Sequence, residues 1–276
     1  MNSSMISASV SMGALQQKLD LLADNIANAN TVGYKRKTAV FEDILTNVNS
    51  HLKDFEQDGR RTPLGFTNGW GAKITSMQLD LSQGSLQETG SMTDAAIEGN
   101  VMFEVRPDGK IGGPPAYTRH GAFQLIPLQG GGRELVTNTG HPVVADNNGT
   151  PDFVTVPDVY DLSIAADGTL TATGPAGSTP LNLGKLKMAE VVRPELLQLS
   201  EDNLYVIPSD LLTSQPPVVR DPETEFAIRQ GYLEQSNVDM TAEMTDLMMV
   251  QRAYQLSARA LSSSNDMMGM ANNLRG

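Results

Sequence analysis

Residues Met240 to Leu274 read MTAEMTDLMMVQRAYQLSARALSSSNDMMGMANNL, a stretch with no proline and one interior glycine, Gly269. Nothing in it forbids a continuous helix, because proline and repeated glycine are the residues that break one. At ~1.5 Å per residue, the stretch predicts a single helix of roughly 50 Å. Asp239 is its predicted N-cap, and Glu243 and Asp246 suit the positive end of the helix dipole.

Two apolar stripes run along this predicted helix, on nearly opposite sides of it. Their members recur in alternating steps of three and four residues, which is the period of a coiled-coil seam. The first stripe comprises Met244, Leu247, Gln251, Tyr254, Ala258, Leu261, Asn265 and Met268. The second comprises Met249, Ala253, Leu256, Ala260, Ser263, Met267, Met270 and Leu274. A helix with two apolar sides requires a partner on each side.

The start of the chain predicts a second heptad helix, from Ser4 to about Asn30. Its apolar stripe comprises Met5, Ala8, Met12, Leu15, Leu19, Leu22 and Ile26. Its opposite side is half polar and comprises Ile6, Val10, Ala14, Gln17, Leu21, Asn25 and Asn28. If the middle of the chain brings its two ends together, these helices lie side by side as an antiparallel coiled coil. Neighbouring copies of the chain would then cover the second stripe of the C-terminal helix.

The middle of the chain predicts β structure, because all 15 prolines fall between Pro63 and Pro222. Short alternating segments separated by turn residues predict an all-β domain of about residues 75–215, either barrel-like or a sandwich. Residues 34–74 and 216–237 are predicted as extended linkers, and Ala39–Asn49 as a short helix or a strand. We therefore expect an α+β protein whose terminal helical domain comprises residues 1–33 and 238–276.

The composition excludes several classes of function. Lys and Arg total 20 against 32 Asp and Glu, a net charge of −12, which argues against nucleic acid or anionic lipid as the main partner. Cysteine is absent, so the chain has no disulfide and no thiolate metal site. No segment has the ~20 apolar residues of a membrane span, and no secretory signal pattern is present. We expect a protein that needs a dedicated route if it is exported.

Motifs for catalysis or for cofactor and metal binding are weak. The histidines His51, His120 and His141 are scattered, and none has the H-x-x-x-H spacing of a metal site. Residues Asp146–Gly149 resemble part of a calcium loop but lack the closing glutamate, so a hairpin turn is the better interpretation. Gly130–Gly132 is interpreted as a loop, because no Lys-Ser/Thr follows it. We expect no catalytic residue, no cofactor, no metal and no small-molecule substrate.

Five segments resemble the bacterial flagellar hook and basal-body rod protein family. Leu21–Lys35 (LLADNIANANTVGYK) is similar to its N-terminal signature, which is close to D-x-I-A-N-N-I-A-N-x-N-T-x-G-[YF]-K. Gln230–Asp239 (QGYLEQSNVD) and Gln251–Leu261 (QRAYQLSARAL) are similar to its C-terminal pattern. Tyr117–Phe123 (YTRHGAF) fits Y-T-R-x-G-x-F, and Ala39–Leu45 (AVFEDIL) resembles the distal rod members in particular. The resemblance therefore covers nearly the whole chain.

This resemblance implies a structural subunit of the flagellar rod, located in the basal body and exported by the flagellum's own secretion system. Its partners would be copies of itself, other rod or hook subunits, and the flagellar export apparatus. The terminal helices would form an inner tube, with the β domain outside it. The predicted assembly interface comprises Met5, Met12, Leu15, Leu19, Leu22, Ile26, Met244, Leu247, Gln251, Tyr254, Leu256, Leu261, Met267, Met268 and Leu274. The predicted family-motif residues are Asn25, Asn28, Asn30, Gly33, Tyr34, Lys35, Asn237 and Arg252.

Some alternatives stay open. The polar residues Asn25, Asn28, Gln251 and Asn265 either face solvent or fix the register of a buried seam. A wall-degrading enzyme would need two carboxylates framing a cleft, and no Asp/Glu pair stands out from turn positions. A cell-surface adhesin would bind through its β domain, whereas a rod subunit would assemble through its ends.

Overall fold

The computed structural model describes residues 2–43, 72–128, 131–147, 149–175, 179–208, 217–222 and 225–273. Within these ranges the chain is α+β, with a helix at each end and a large β region between them, as the sequence predicts. The predictions for Ile44–Asn49, His51, Gly130, Asn148 and Leu274 concern residues outside the described ranges.

The two terminal helices are α1 (Asn2–Ala27) and α2 (Met240–Asn273). Helix α1 ends a few residues before the predicted Asn30, because the next residues form turns instead. In that turn Thr31 donates its backbone N–H to the carbonyl oxygen of Asn28 at 3.1 Å, and Gly33 has a φ of +70°. Asparagine and glycine favour such left-handed and turn conformations. Helix α2 is continuous over 34 residues, since Gly269 does not interrupt it.

The strands alternate with short turns, as the glycine and proline spacing of the middle region predicts. Within the described residues the strands are β1 (Lys37–Asp43), β2 (Ala72–Leu79), β3 (Leu86–Glu88), β4 (Ala95–Glu98), β5 (Val101–Val105), β6 (Ala116–Thr118), β7 (Phe123–Pro127), β8 (Arg133–Thr137), β9 (Val144–Asn147), β10 (Thr150–Phe153), β11 (Thr155–Val156), β12 (Asp161–Ile164), β13 (Thr169–Thr173), β14 (Leu181–Leu186), β15 (Met188–Val191), β16 (Gln198–Leu199), β17 (Tyr205–Val206), β18 (Val219–Arg220), β19 (Ala227–Gln230) and β20 (Tyr232–Glu234).

The chain divides into two compact units. The first unit comprises Met1–Ile26, Lys37–Gln78 and Met240–Gly276, and the second comprises Ala27–Arg36 and Leu79–Asp239. In the first unit β1 and β2 form a two-stranded sheet, and the exposure of β2 side chains alternates from Ala72 to Met77. The described part of Ala39–Asn49 is therefore a strand rather than a helix.

The second unit is built from antiparallel sheets. Its larger sheets have the strand orders β16-β17-β6-β5-β15-β18 and β10-β9-β14-β13-β12, and a smaller one has the order β11-β8-β7. Strands β19 and β20 lie in the segment predicted as a linker, and each pairs with an earlier strand, β4 and β3 respectively. The last strands before α2 are thus hydrogen-bonded to the first strands of the same unit.

One hydrophobic cluster joins most of these sheets. Phe103 on β5 and Phe123 on β7 pack edge to face with ring centroids 5.0 Å apart, and Leu135 and Leu170 are fully buried in the same cluster. Burying each such side chain stabilises a fold by about 1.5–3 kcal/mol. Among the described residues, neither α1 nor α2 is apolar enough over a sufficient length to cross a membrane.

Candidate functional site

Helix α2 has one covered face. Its least exposed positions recur in three-four steps and comprise Glu243, Leu247, Val250, Tyr254, Ser257, Leu261, Ser264 and Met268. Leu247, Tyr254, Leu261 and Met268 belong to the predicted first stripe, but Met244, Gln251 and Asn265 of that stripe are exposed. The buried positions lie one residue earlier, at Glu243, Val250 and Ser264. At one position the reason is polarity, because Val250 is apolar where Gln251 is polar; the buried Glu243 instead accepts a hydrogen bond from Asn25.

The opposite face of α2 is apolar and exposed. Met249, Leu256, Met267 and Met270 are 56%, 63%, 48% and 59% exposed, and all four belong to the predicted second stripe. Ala260 and Ser263 are also exposed, whereas Ala253 is half-buried. At 100° per residue the four large side chains lie within about 60° of one another around the helix. Large contiguous apolar patches are uncommon on the surface of proteins that stay monomeric.

Helix α1 also has its most buried side chains off the centre of its predicted stripe. Ala14, Leu21, Leu22 and Asn25 are buried, and of these only Leu22 comes from the predicted apolar stripe. The other predicted interface residues, Met5, Met12, Leu15, Leu19 and Ile26, are half-buried. The covered face of α1 therefore lies between its two predicted sides, rotated toward the half-polar one.

Asn25 lies at the centre of a polar cluster in the first unit. Its side chain is fully buried, and its amide nitrogen donates to the carbonyl oxygen of Lys37 at 2.9 Å and to a carboxylate oxygen of Glu243 at 3.2 Å. The backbone N–H of Lys37 donates in return to the Asn25 amide oxygen at 3.0 Å. One side chain of α1 therefore ties the first residue of β1 and the first turn of α2 together. Asn25 therefore does not face solvent, and a role in fixing the register of a helical seam stays a prediction.

Three further polar residues of the motif, close to the end of α1, have different surroundings. Asp24 pairs with the Lys37 ammonium group, Oδ2 to Nζ at 2.5 Å, on the partly exposed side of the same cluster. Asn28 is half-buried and accepts a hydrogen bond from the Thr31 hydroxyl at 3.2 Å, so it shapes the turn. Asn30 is exposed. The polar residues of this motif therefore have different roles: a buried tie at Asn25, a partly exposed ion pair at Asp24 and a turn former at Asn28.

Three separated motifs of the sequence converge on Glu234 in the second unit. Its carboxylate is 1% exposed and contacts Lys35 Nζ at 2.8 Å and Arg119 Nε at 2.5 Å. It also accepts the backbone N–H of Gly84 at 2.8 Å. Lys35 comes from the N-terminal signature, Arg119 from the Y-T-R-x-G-x-F segment, and Glu234 from the C-terminal pattern. The resulting group, which we call the buried triad, comprises Lys35, Arg119 and Glu234.

Backbone carbonyls complete the coordination of the two cations in the buried triad. Lys35 donates to the carbonyl oxygens of Ser82 at 2.7 Å and Leu81 at 3.4 Å. Arg119 donates to the carbonyl oxygens of Ile97, at 3.0 Å, and of Val101. Because two cations share one carboxylate, these carbonyl dipoles supply the remaining negative potential.

The segment that follows α1 is held close to the backbone of the buried triad. Gly33 donates its N–H to the carbonyl oxygen of Glu234 at 2.8 Å. A β-carbon at Gly33 would lie 2.7 Å from backbone atoms of Arg119 and His120, so only glycine fits here. Tyr34, the next residue, is buried. The Gly-Tyr-Lys part of the motif is therefore a packing requirement of the second unit.

Asn237 ties together the segments by which the chain enters and leaves the second unit. Its amide oxygen accepts the backbone N–H of Arg36 at 2.7 Å, and its amide nitrogen donates to the carbonyl oxygens of Asp80 at 2.8 Å and Ser82 at 3.2 Å. Asp80 in turn donates its backbone N–H to the carbonyl oxygen of Arg36 at 2.8 Å. We call the contacts of Gly33 and Arg36 with Glu234 and Asn237 the cross-tie.

Burial shifts the pKa of two groups near this region. Desolvation lowers the pKa of the Lys35 ammonium group, and the Arg119 charge lowers it further, while Glu234 opposes both effects. Desolvation likewise lowers the pKa of His120, against the opposing charge of Asp94. Burial therefore favours the neutral form of the His120 side chain.

The remaining candidate motifs form turns or stay apart. Gly149 donates its N–H to the Asp146 carboxylate at 2.8 Å, and this turn joins β9 to β10 as a hairpin. His141 approaches Asp202, at 3.5 Å, and not His120. Among the described residues, no group of three or more His, Asp or Glu side chains is placed to hold a metal ion.

Sequence reasoning named some of these functional positions and missed others. Lys35, Gly33, Tyr34 and Asn237 were predicted as motif residues, and they meet in the second unit. Arg252 of the same prediction is exposed on α2. Glu234 and Arg119 lie within motif segments but are not among the predicted site residues, and the sequence predicts for Glu243 only a favourable place near the start of the helix dipole. The sequence signal for Glu234 and Glu243 is a charged residue next to an apolar one, Leu233 and Met244 respectively, whereas Arg119 lies between Thr118 and His120 and has no such signal.

Three segments of the chain match known protein families. "Flagella basal body rod protein" matches residues 8–35, "Flagellar hook protein FlgE/F/G D1 domain" matches residues 96–172, and "Flagellar basal body rod FlgEFG protein C-terminal" matches residues 229–274. The first match contains Asn25 and Lys35, the second contains Arg119, and the third contains Glu234 and α2. The polar clusters described above thus lie within the matched segments.

Individual relatives align over almost the full chain. The flagellar basal-body rod protein FlgG of Borreliella burgdorferi is 31% identical over 274 residues, covering 97% of each chain. The FlgG protein of Agrobacterium fabrum is 32% identical over 264 residues, covering 94% of each. The flagellar hook-basal body complex protein FlhP of Bacillus subtilis is 31% identical over 277 residues, covering 99% of each.

Proposed function

The chain belongs to the family of flagellar basal-body rod proteins, and we propose that it polymerises through its terminal helices into the axial tube of the rod. It is a structural subunit of the flagellar basal body, related to distal rod proteins over nearly its full length. In this proposal the subunit works mechanically, since torque passes from motor to hook through repeated helix contacts.

The observation that carries the proposal is the exposed apolar stripe of α2. One face of this helix is covered, and the opposite face presents Met249, Leu256, Met267 and Met270 to solvent. An isolated subunit gains nothing from four large apolar side chains in water, whereas a helical array covers each helix on several sides. Head-to-tail contacts that do not close into a ring produce an open filament of this kind.

We further propose that α1 and α2 pair as an antiparallel coiled coil. The contact between Asn25 and Glu243 joins the last turns of α1 to the first turn of α2. From that point, helices that pack along their lengths run in opposite directions. At ~1.5 Å per residue, α1 is about 39 Å long and α2 about 51 Å, so the last residues of α2 extend beyond α1. Met267 and Met270 lie on this overhang, where another subunit would cover them.

The remaining parts of the proposal concern the β region and the partners. Residues 1–33 and 238–276 would form the axial core, residues 34–74 and 216–237 would connect it to the outside, and residues 75–215 would form a barrel-like or sandwich outer domain. The partners would be copies of this chain and other rod or hook subunits, and the interface would comprise the predicted residues of α1 and α2. Export would use the flagellar secretion apparatus. No catalytic step belongs to this function.

A substitution on the exposed stripe tests the proposal. We expect Leu256→Asp to abolish rod assembly without changing the thermal unfolding of the subunit, because Leu256 is 63% exposed. The matched control is Val159→Asp, since Val159 is 68% exposed but lies in the β region. Electron microscopy of basal bodies from a complemented deletion strain gives the result. Complete rods and normal swimming with Leu256→Asp would contradict the proposal. Loss of rods with Val159→Asp but not with Leu256→Asp would also contradict it.

A further inference from the structure

Methionine is concentrated in α2. The sequence contains 14 methionines, and seven of them lie among the 34 residues of α2: Met240, Met244, Met248, Met249, Met267, Met268 and Met270. Five of the seven, all except Met240 and Met268, are 48% to 59% exposed. Leucine, lysine and glutamate have similar helix propensity, so helix stability does not require methionine at exposed positions. What the methionines add to this surface is a set of accessible thioether groups.

We propose that these five methionines, Met244, Met248, Met249, Met267 and Met270, are oxidation sites at which peroxide converts the free subunit into a form that does not assemble. The inference rests on the proposed function, because it needs the exposed face of α2 to be a subunit contact. Assembled subunits would be protected at Met249, Met267 and Met270, since that contact covers their sulfur atoms.

The chemistry is a two-electron oxygen transfer. The thioether sulfur attacks one oxygen of hydrogen peroxide, a sulfur–oxygen bond forms, and the oxygen–oxygen bond breaks. Sulfur is oxidised by two electrons, the transferred oxygen loses its proton, and the departing hydroxide takes up one proton and leaves as water. The product is methionine sulfoxide, which is polar and chiral where the thioether was apolar and flexible.

The position of the sulfur atoms turns this local change into a loss of contact. Met249, Met267 and Met270 line the same side of α2 as Leu256. A sulfoxide oxygen on this side keeps its hydrogen bonds to water only while the face stays wet. Packing another helix against it removes that water, which is unfavourable for an unpaired acceptor. The free subunit keeps its own fold, because its covered face carries none of the five residues.

The chain contains its own controls. Met102 and Met188 are 2% and 3% exposed in the β region, so peroxide should reach them slowly. Met92 is 66% exposed but lies outside the helices, so its oxidation should leave assembly unchanged.

The first experiment maps oxidation in the purified full-length chain. The chain is treated with graded hydrogen peroxide, digested, and analysed by mass spectrometry for the gain of one oxygen per methionine. We expect the five α2 methionines to oxidise at least about tenfold faster than Met102 and Met188. Equal rates at the exposed and buried positions would overturn the inference by themselves, whether or not the chain polymerises.

The second experiment measures assembly by sedimentation and electron microscopy, before and after peroxide. We expect the treated chain to lose its polymers and to recover them after incubation with methionine sulfoxide reductase and a thiol reductant. A variant with Leu at all five positions should assemble and resist peroxide, whereas Met92→Leu should remain sensitive. Peroxide sensitivity in the five-leucine variant would overturn the inference. Failure of the untreated chain to assemble would instead count against the proposed function, and the oxidation map would still decide which methionines are modified.

Discussion

Replacing Glu234 with glutamine tests how far the buried triad holds the second unit together. Glutamine keeps the size of the side chain and one acceptor oxygen, but it removes the negative charge between Lys35 and Arg119. Those two cations are 1% and 4% exposed, so water cannot replace the lost carboxylate. Lys35 already has a lowered pKa, and Glu234 is one of the groups that oppose this shift. We therefore expect the pKa of Lys35 to fall further in the variant.

The size of the effect follows from the burial of all three groups. Removing one partner of a buried ion pair typically costs about 3–5 kcal/mol, because it leaves an uncompensated charge. A typical domain has about 5–15 kcal/mol of stability in total, so the variant loses a large fraction of it. For a unit of this size, each kcal/mol lowers the melting temperature by about 2–4 °C. We expect a decrease of roughly 6–20 °C.

Thermal unfolding of the purified chain, followed by circular dichroism, measures this decrease. The matched control is Glu98→Gln, which breaks the exposed ion pair between Glu98 and Arg229 and should have little effect. Adding Lys35→Met to Glu234→Gln should recover part of the loss, because it removes one uncompensated cation. If Glu234→Gln and Glu98→Gln melt at the same temperature, the buried triad does not stabilise the unit and the reasoning fails.

Three more predictions concern neighbouring positions. Gly33→Ala should lower the free energy of unfolding by at least about 1–3 kcal/mol in urea titrations, because a methyl group there meets backbone atoms at 2.7 Å and φ is +70°. Gly90 also has a positive φ but lies in open space, so Gly90→Ala should lower the free energy of unfolding by less. Asn25→Leu should cost about 1–3 kcal/mol, measured by the same titration, because it strips hydrogen bonds from the Lys37 backbone, whereas Asn30→Leu at an exposed position should be nearly neutral. The His120 pKa is lowered on folding, so the unfolded chain binds more protons than the folded chain between that lowered value and about 6.5. The free energy of unfolding should therefore decline as pH falls through this window. His120→Asn should make the melting temperature decline less between pH 7 and pH 5.

The sequence predicts what is local and periodic in this protein. Both helices follow from proline-free heptad patterns, and the strands follow from alternation between turn residues. Which residues of α2 form its buried face is harder to predict from the sequence. An error of one residue rotates the predicted face by about 100°, and both sides of α2 carry methionine. The structure buries Val250 and exposes Gln251, the apolar and the polar one of two adjacent residues.

The polar clusters could not be derived from periodicity, because their members are far apart in the chain. Lys35 and Glu234 are separated by 199 positions, and Asn25 and Glu243 by 218. A pattern within one segment contains no information about which distant residue will complete it. The family resemblance identified Lys35 and Asn25 as motif residues, but only the folded chain shows that Glu234 and Glu243 are their partners.

The cross-tie has a consequence for how the second unit carries load. Arg36 and Asn237 are in direct hydrogen-bonded contact although 201 positions separate them. A pull applied through these two residues is borne by a short bridge of hydrogen bonds and the adjoining ion pairs, and the strands between them are bypassed. The β region is therefore a loop closed at its base by the cross-tie. A pulling force is carried by the cross-tie and not by the strands, so the strands can vary in sequence without weakening it.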